Sequence, residues 1–165
     1  MLYSERLKIL VVVPDIEIGG VTSSCINFCH ELVNNNNEVD ILVMDGSDVK
    51  LEDARQIKLT GRSSYWNLSK KDLLSINCFN RIGLSLIGII KKFSNRLGLW
   101  YPIVFNRFRL NSAYDVAVAY RQCAPCYYFT LNCINARRKI AMIHGNLHFM
   151  GDTGTWDKFL PQFDS

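Results

Sequence analysis

Leu7-Lys8-Ile9-Leu10-Val11-Val12-Val13-Pro14 is a nearly unbroken apolar run, rich in β-branched residues and closed by a proline. Such a run suits a strand covered on both faces, as in a parallel sheet, where neither face calls for polar side chains. It leads through Asp15-Ile16-Glu17-Ile18 to Gly19-Gly20-Val21-Thr22. From Val21 onward, Val21, Cys25, Phe28 and Leu32 recur at helical spacing, with Thr22, Ser23 and Ser24 available to cap the first turn. The run Asn34 to Asn37 ends this helix, because asparagine tolerates the left-handed backbone that helix ends often adopt. Glu38-Val39-Asp40-Ile41-Leu42-Val43-Met44 follows as a second strand and stops at Asp45-Gly46, a turn pair. Strand, helix and strand together predict a βαβ unit with a right-handed crossover.

Outward from this unit, Ile57-Lys58-Leu59 reads as a short third strand, and residues 70–97 read as helical, with Ile82, Leu86, Ile89, Phe93 and Leu97 on one stripe. Tyr114-Asp115-Val116-Ala117-Val118-Ala119-Tyr120 is a further strand, followed by a helix from Ala124 to about Ile134. Arg138-Lys139-Ile140-Ala141-Met142-Ile143 is the next strand and delivers His144-Gly145-Asn146 at its C-terminal end. The alternation predicts an α/β fold, a doubly wound, mostly parallel sheet with helices on both faces. Ligands of such sheets bind outside the carboxyl ends of the strands.

At 165 residues and 48% apolar content, the chain has the material for one domain with a continuous core. A net charge of +4 gives no basis for nucleic-acid binding without a local cluster. Met1 to Arg6 include Glu5 and lack the basic start of a secretory signal, and no run of about 18 uncharged apolar residues is present. The expectation is a cytoplasmic protein whose six cysteines (Cys25, Cys29, Cys78, Cys123, Cys126, Cys133) are reduced thiols.

A strand that ends in a glycine pair and turns into a helix lets a ligand approach the backbone, and the helix N-terminus behind it favours a phosphate or a sugar hydroxyl. The stretch Pro14 to Thr22 lacks both the G-x-G-x-x-G pattern of dinucleotide sites and the lysine of a P-loop. The alternative is a tight turn with no ligand.

In order and spacing, Lys8 to Pro14, Gly19 to Thr22, Glu38 to Val43, Tyr114 to Tyr120 and Lys139 to His144 resemble the N-terminal domain of the GT-B glycosyltransferases of family 4. The likeness covers about half of the chain. It implies a Rossmann-like acceptor-side domain over residues 1–165 that ends before its last strand, with the C-terminal donor domain absent. It also implies a retaining enzyme of the hexosyltransferase type that moves a sugar from a nucleotide sugar to a glycan or lipid-linked acceptor in cell-surface polysaccharide synthesis. No metal or other cofactor is expected, and the donor sugar is bound mainly by the partner domain. The half-enzyme is expected to be inactive alone.

On this resemblance His144 is the catalytic candidate, contacting the transferred sugar, and Gly19, Gly20, Val21, Thr22, Tyr120, Arg121 and Asn146 face acceptor and phosphate. His144 is expected on a strand neighbouring the glycine turn. The chain departs from family habit with Val21-Thr22-Ser23-Ser24 where an acidic residue often follows the glycines, with Asn37-Glu38 where Gly-His is common, and with Gly145 after the histidine. A non-catalytic α/β module that binds a sugar or nucleotide in the same crevice is the competing class.

Three other features call for a reading. No acidic residue lies between Asp72 and Asp115, while Arg81, Lys91, Lys92, Arg96, Arg107 and Arg109 do. With the apolar stripe Ile82 to Leu97, this segment is either a core-facing helix with a solvated basic side or a peripheral contact with an anionic inner membrane face. Cys123-Ala124-Pro125-Cys126 opens a helix after a strand, the thioredoxin context, although more than a hundred residues precede it, so a thiol oxidoreductase is a distant alternative. His30 sits mid-helix and His148 in a loop, and neither these nor Cys133 complete a metal-ligand set.

Overall fold

In the computed structural model, which describes residues 6–16, 19–49, 51–59, 89, 99–105, 108–145 and 157–164, the apolar run forms strand β1 at Lys8–Val13. Helix α1 spans Gly20–Asn34, and β2 covers Glu38–Val43. After them come β3 (Arg55–Lys58), α2 (Trp100–Phe105), β4 (Ala113–Ala119), α3 (Ala124–Cys133) and β5 (Asn135–Ala141). A short 3-10 turn follows at Leu160–Gln162.

The five strands form one sheet in the order β3-β2-β1-β4-β5, and each neighbouring pair is parallel. This is a Rossmann-like α/β sheet. The direction of winding reverses between β1 and β4, so the two central strands flank the switch point where ligands of open α/β sheets bind.

Both faces of β1 are buried, and its alternate residues serve two cores. Leu10 and Val12 pack with Leu42, Met44 and the aromatic residues of α2 and α3, among them Trp100, Phe105, Tyr127 and Phe129. Ile9, Val11 and Val13 pack on the other face with Val39, Ile41, Val43 and the α1 cysteines Cys25 and Cys29. Each fully buried aliphatic side chain of this kind contributes about 1.5–3 kcal/mol.

One carboxylate sits inside this apolar framework. Asp40 is 1% exposed, and its oxygens accept two hydrogen bonds from Arg55, at 3.0 and 2.6 Å, and one from the Tyr114 hydroxyl at 2.7 Å. The arrangement ties β2 to β3 and reaches across β1 to β4.

Several local expectations shift. The third strand begins at Arg55 rather than Ile57, because Arg55 pairs in register with Asp40. The last strand runs Asn135–Ala141 rather than 138–143, since its ladder with β4 starts at Ala113 opposite Asn135. Ile143 lies beyond it, 48% exposed. Helix α1 starts one residue early, at Gly20, and none of Thr22, Ser23 or Ser24 caps it. Its other end behaves as read: Asn36 takes a left-handed φ of 62°, and the Asn37 amide donates back to the Leu32 carbonyl. Gly46 holds the expected turn with a φ of 81°. The helical expectation for residues 70–97 lies outside the described residues, apart from Ile89 in a helical turn. No described helix is long and apolar enough to cross a membrane.

Candidate functional site

The carboxyl ends of β1, β4 and β5 converge on Tyr120. Its amide donates to the Val12 carbonyl at 3.0 Å, which continues the β1–β4 ladder one residue past the strand. This places the side chain under α1, where its hydroxyl lies 2.8 Å from the Ser24 Oγ and its ring 5.3 Å from that of Phe28. On its other side the ring meets His144 with centroids 4.5 Å apart. The Tyr120 carbonyl accepts a hydrogen bond of 2.6 Å from His144 Nε2.

That bond sets the state of the imidazole. A carbonyl can only accept, so Nε2 carries the proton and Nδ1 of the neutral ring is left as an acceptor. His144 is exposed, and it stands where a ligand hydroxyl could donate to Nδ1. Gln122 lies close by, its amide 3.5 Å from the Gly145 carbonyl.

At the switch point, Arg121 after β4 is ion-paired with Asp15 after β1. The pair bridges the two central strand ends directly over the crevice. Gly19 and Gly20 face outward at the start of α1, and a Cβ at either would meet no described atom within 4 Å. Gly19 has a φ of 174°, extended backbone open to any residue. Neither glycine is demanded by the fold itself. Val21 is 37% exposed and Thr22 half-buried on the same turn.

Three of the sequence-derived assignments change here. His144 is not on a strand neighbouring β1, because β4 lies between β1 and β5. Tyr120 does not face an acceptor: at 2% exposure it is the support on which α1 and His144 rest. Arg121 is not a free cation, since the nearby Asp15 carboxylate engages it. Asn146, His148, Arg81, Lys91, Lys92 and Arg96 lie outside the described residues, and His30 is exposed on α1. Asp15 and Ser24 are the site residues that sequence reasoning passed over in this role. The available signal for Asp15 was its place directly after the strand-closing proline.

Surface cavities among the described residues lie at the other end of the sheet. One of about 420 Å³ is lined by Asn36, Asn37, Glu38, Asp40 and Arg55, and one of about 440 Å³ by Arg109, Asn132, Asn135 and Lys139. Both lie beside the amino ends of strands, away from the switch point, and the topology favours the carboxyl ends as the ligand side. Among the described residues, no group of three His, Cys, Asp or Glu could hold a metal ion.

The fold defines a Rossmann-like α/β domain, with the Tyr120 cluster at the carboxyl ends of its strands. No family model, curated protein or solved structure matches the chain.

Proposed function

We propose that the chain is the acceptor-binding half of a retaining GT-B glycosyltransferase that builds a cell-surface glycan on a saccharide or lipid-linked acceptor. The observation that carries this reading is the double attachment of Tyr120. One residue holds both: its hydroxyl meets α1 at Ser24, behind the open glycine pair, and its backbone carbonyl orients His144, with Nδ1 as acceptor. A sugar resting in the crevice would present a hydroxyl to Nδ1 while a phosphate approaches the amides behind Gly19 and Gly20. A donor domain would close the opposite wall and bring the nucleotide sugar. The basic segment with Arg81, Lys91, Lys92 and Arg96 would hold the enzyme at an anionic membrane face, where lipid-linked acceptors reside.

Saturation-transfer NMR on the isolated chain tests the reading, with an oligosaccharide series, a short-chain polyprenyl-phosphate sugar, and nucleotide sugars as probes. Saccharide binding that weakens about tenfold in His144→Ala is expected, in line with loss of one ligand hydrogen bond of about 1.4 kcal/mol. Binding of nucleotides alone, unaffected by His144→Ala, would instead select a non-catalytic nucleotide-binding module.

A further inference from the structure

We propose that Cys123 and Cys126 form a thiol–disulfide exchange site, with Cys123 as attacking thiol, Cys126 as resolving thiol, and a small-molecule disulfide as oxidant. The site is separate from sugar transfer and does not depend on it.

The geometry comes from the start of α3. Cys123 is the N-cap, in extended backbone with φ −154° and ψ 145°, and its carbonyl accepts the first helical hydrogen bond from Tyr127 at 3.1 Å. Cys126 is therefore at the third helical position, one turn on, the position whose amide an N-cap side chain ordinarily engages. The two residues are thus three apart at the opening turn of one helix, the C-x-x-C spacing that brings their side chains to the same end of α3. Cys123 is only partly buried, whereas Cys126 is at 0% exposure, with its sulfur 3.9 Å from the Val12 carbonyl and 3.7 Å from the Met44 sulfur. Cys123 is therefore the less buried residue of the pair, and Cys126 is the one enclosed by the core.

The electrostatics divide the two thiols in the same sense. Cys123 is held below its ordinary value, first by the Cys126 thiol, then by the Cys126 backbone N–H and the Arg121 charge, against the opposing effects of burial and Asp15. Cys126 is pushed well up, chiefly by burial and then by its hydrogen bond with Cys123. A thiolate at a helix N-terminus is the nucleophile in such exchange, and a protonated buried thiol is a poor competitor for it.

The chemistry balances without a further reagent. The Cys123 thiolate attacks one sulfur of the disulfide RSSR, forming a mixed disulfide as the RS–SR bond breaks and RS⁻ departs. Cys126 then attacks the Cys123 sulfur, forming the Cys123–Cys126 bond and expelling the second RS⁻. The protons of the two protein thiols end on the two released thiolates, giving two RSH. The protein dithiol is oxidised by two electrons and RSSR is reduced by two.

Incubating the reduced chain at pH 7 with oxidised glutathione, followed by alkylation, digestion and mass spectrometry, tests this. A Cys123–Cys126 bridge is expected, its fraction following the glutathione ratio, and Cys126→Ala should accumulate glutathione on Cys123. Because that variant also removes a buried sulfur, alkylation of the unmodified reduced protein gives a second reading. Cys123 should react with iodoacetamide at least about tenfold faster than Cys25 or Cys133. Absence of the bridge at every glutathione ratio, or alkylation of Cys123 no faster than of Cys133, would overturn the assignment.

Discussion

The hydroxyl of Tyr120 lies 2.8 Å from Ser24 Oγ, so the residue that ends the β4 ladder also holds α1 at its fifth residue. No side chain caps that helix, so this contact is a side-chain tie that holds α1 to the end of β4. Tyr120→Phe keeps the ring packing on Phe28 and loses only this bond. The expected cost is about 1 kcal/mol in urea unfolding, with weaker saccharide binding from a looser helix start. Ser24→Ala should match it, and the double variant should cost no more than either alone; additive losses would show that the two groups do not act on each other.

His144 supplies a contrasting case. It sits on the surface beyond β5, and its ring is oriented by one backbone carbonyl. His144→Ala should change unfolding free energy by no more than about 0.5 kcal/mol, as surface substitutions do, while lowering ligand affinity. Nitrogen NMR of the neutral ring should find the proton on Nε2; a proton on Nδ1 would remove the proposed acceptor.

Asp40 is where stability is most concentrated. Asp40→Ala removes the buried charge itself and leaves the Tyr114 hydroxyl without its acceptor, which should cost about 1–3 kcal/mol. Tyr114→Phe should cost about 1.5–3 kcal/mol, the range for a hydrogen bond to a charged group. Arg55→Ala should cost more, about 3–5 kcal/mol, because it leaves the Asp40 carboxylate, 2% exposed, without its counter-charge and two of its hydrogen bonds. Urea titrations of the three variants should find Arg55→Ala the most costly.

Alkaline pH should unfold the protein through buried hydroxyls and thiols. Burial, followed by the Asp40 contact, raises the pKa of Tyr114, and burial raises that of Tyr127. Burial likewise pushes Cys133 up to about 11. Each group is raised in the fold, so its contribution is complete below the unfolded-state value and is lost as pH climbs toward the folded one. Stability should begin to fall above about pH 9, the thiol range, and drop further above about pH 10 as unfolded tyrosine ionises. Absorbance at 295 nm should show Tyr114 and Tyr127 ionising together with the loss of circular dichroism. Their ionisation in a still folded protein would contradict the burial.

The sheet was legible because β1, β2 and β4 are buried on both faces and announce it as continuous apolar runs. β5 was harder to bound. Among the described residues β4 is its one strand partner, and Arg137, Arg138 and Ile140 are exposed along it, so hydropathy marked neither of its ends. A carboxylate within the β2 run already required a partner, but which residues answered it depended on register with β3 and on Tyr114 two strands away. The site divided in the same way. His144 and the glycine pair were visible as strand-end features. The Asp15–Arg121 pair and the supporting role of Tyr120 arise from the order of strands, which local sequence does not encode.

The strand order also governs how the chain comes together during synthesis. Ile9 of β1 pairs with Val39 on one side and with Val116 on the other. The first partnership can form as soon as the opening βαβ unit has left the ribosome. The second waits for most of the remaining chain, an interval of several seconds at about 5–20 residues per second. Throughout that interval one flank of β1, buried along five of its six residues in the finished fold, has no partner from β4. A nascent chain stalled between Val43 and Val116 is therefore the form of this protein most prone to aggregate and most dependent on a chaperone.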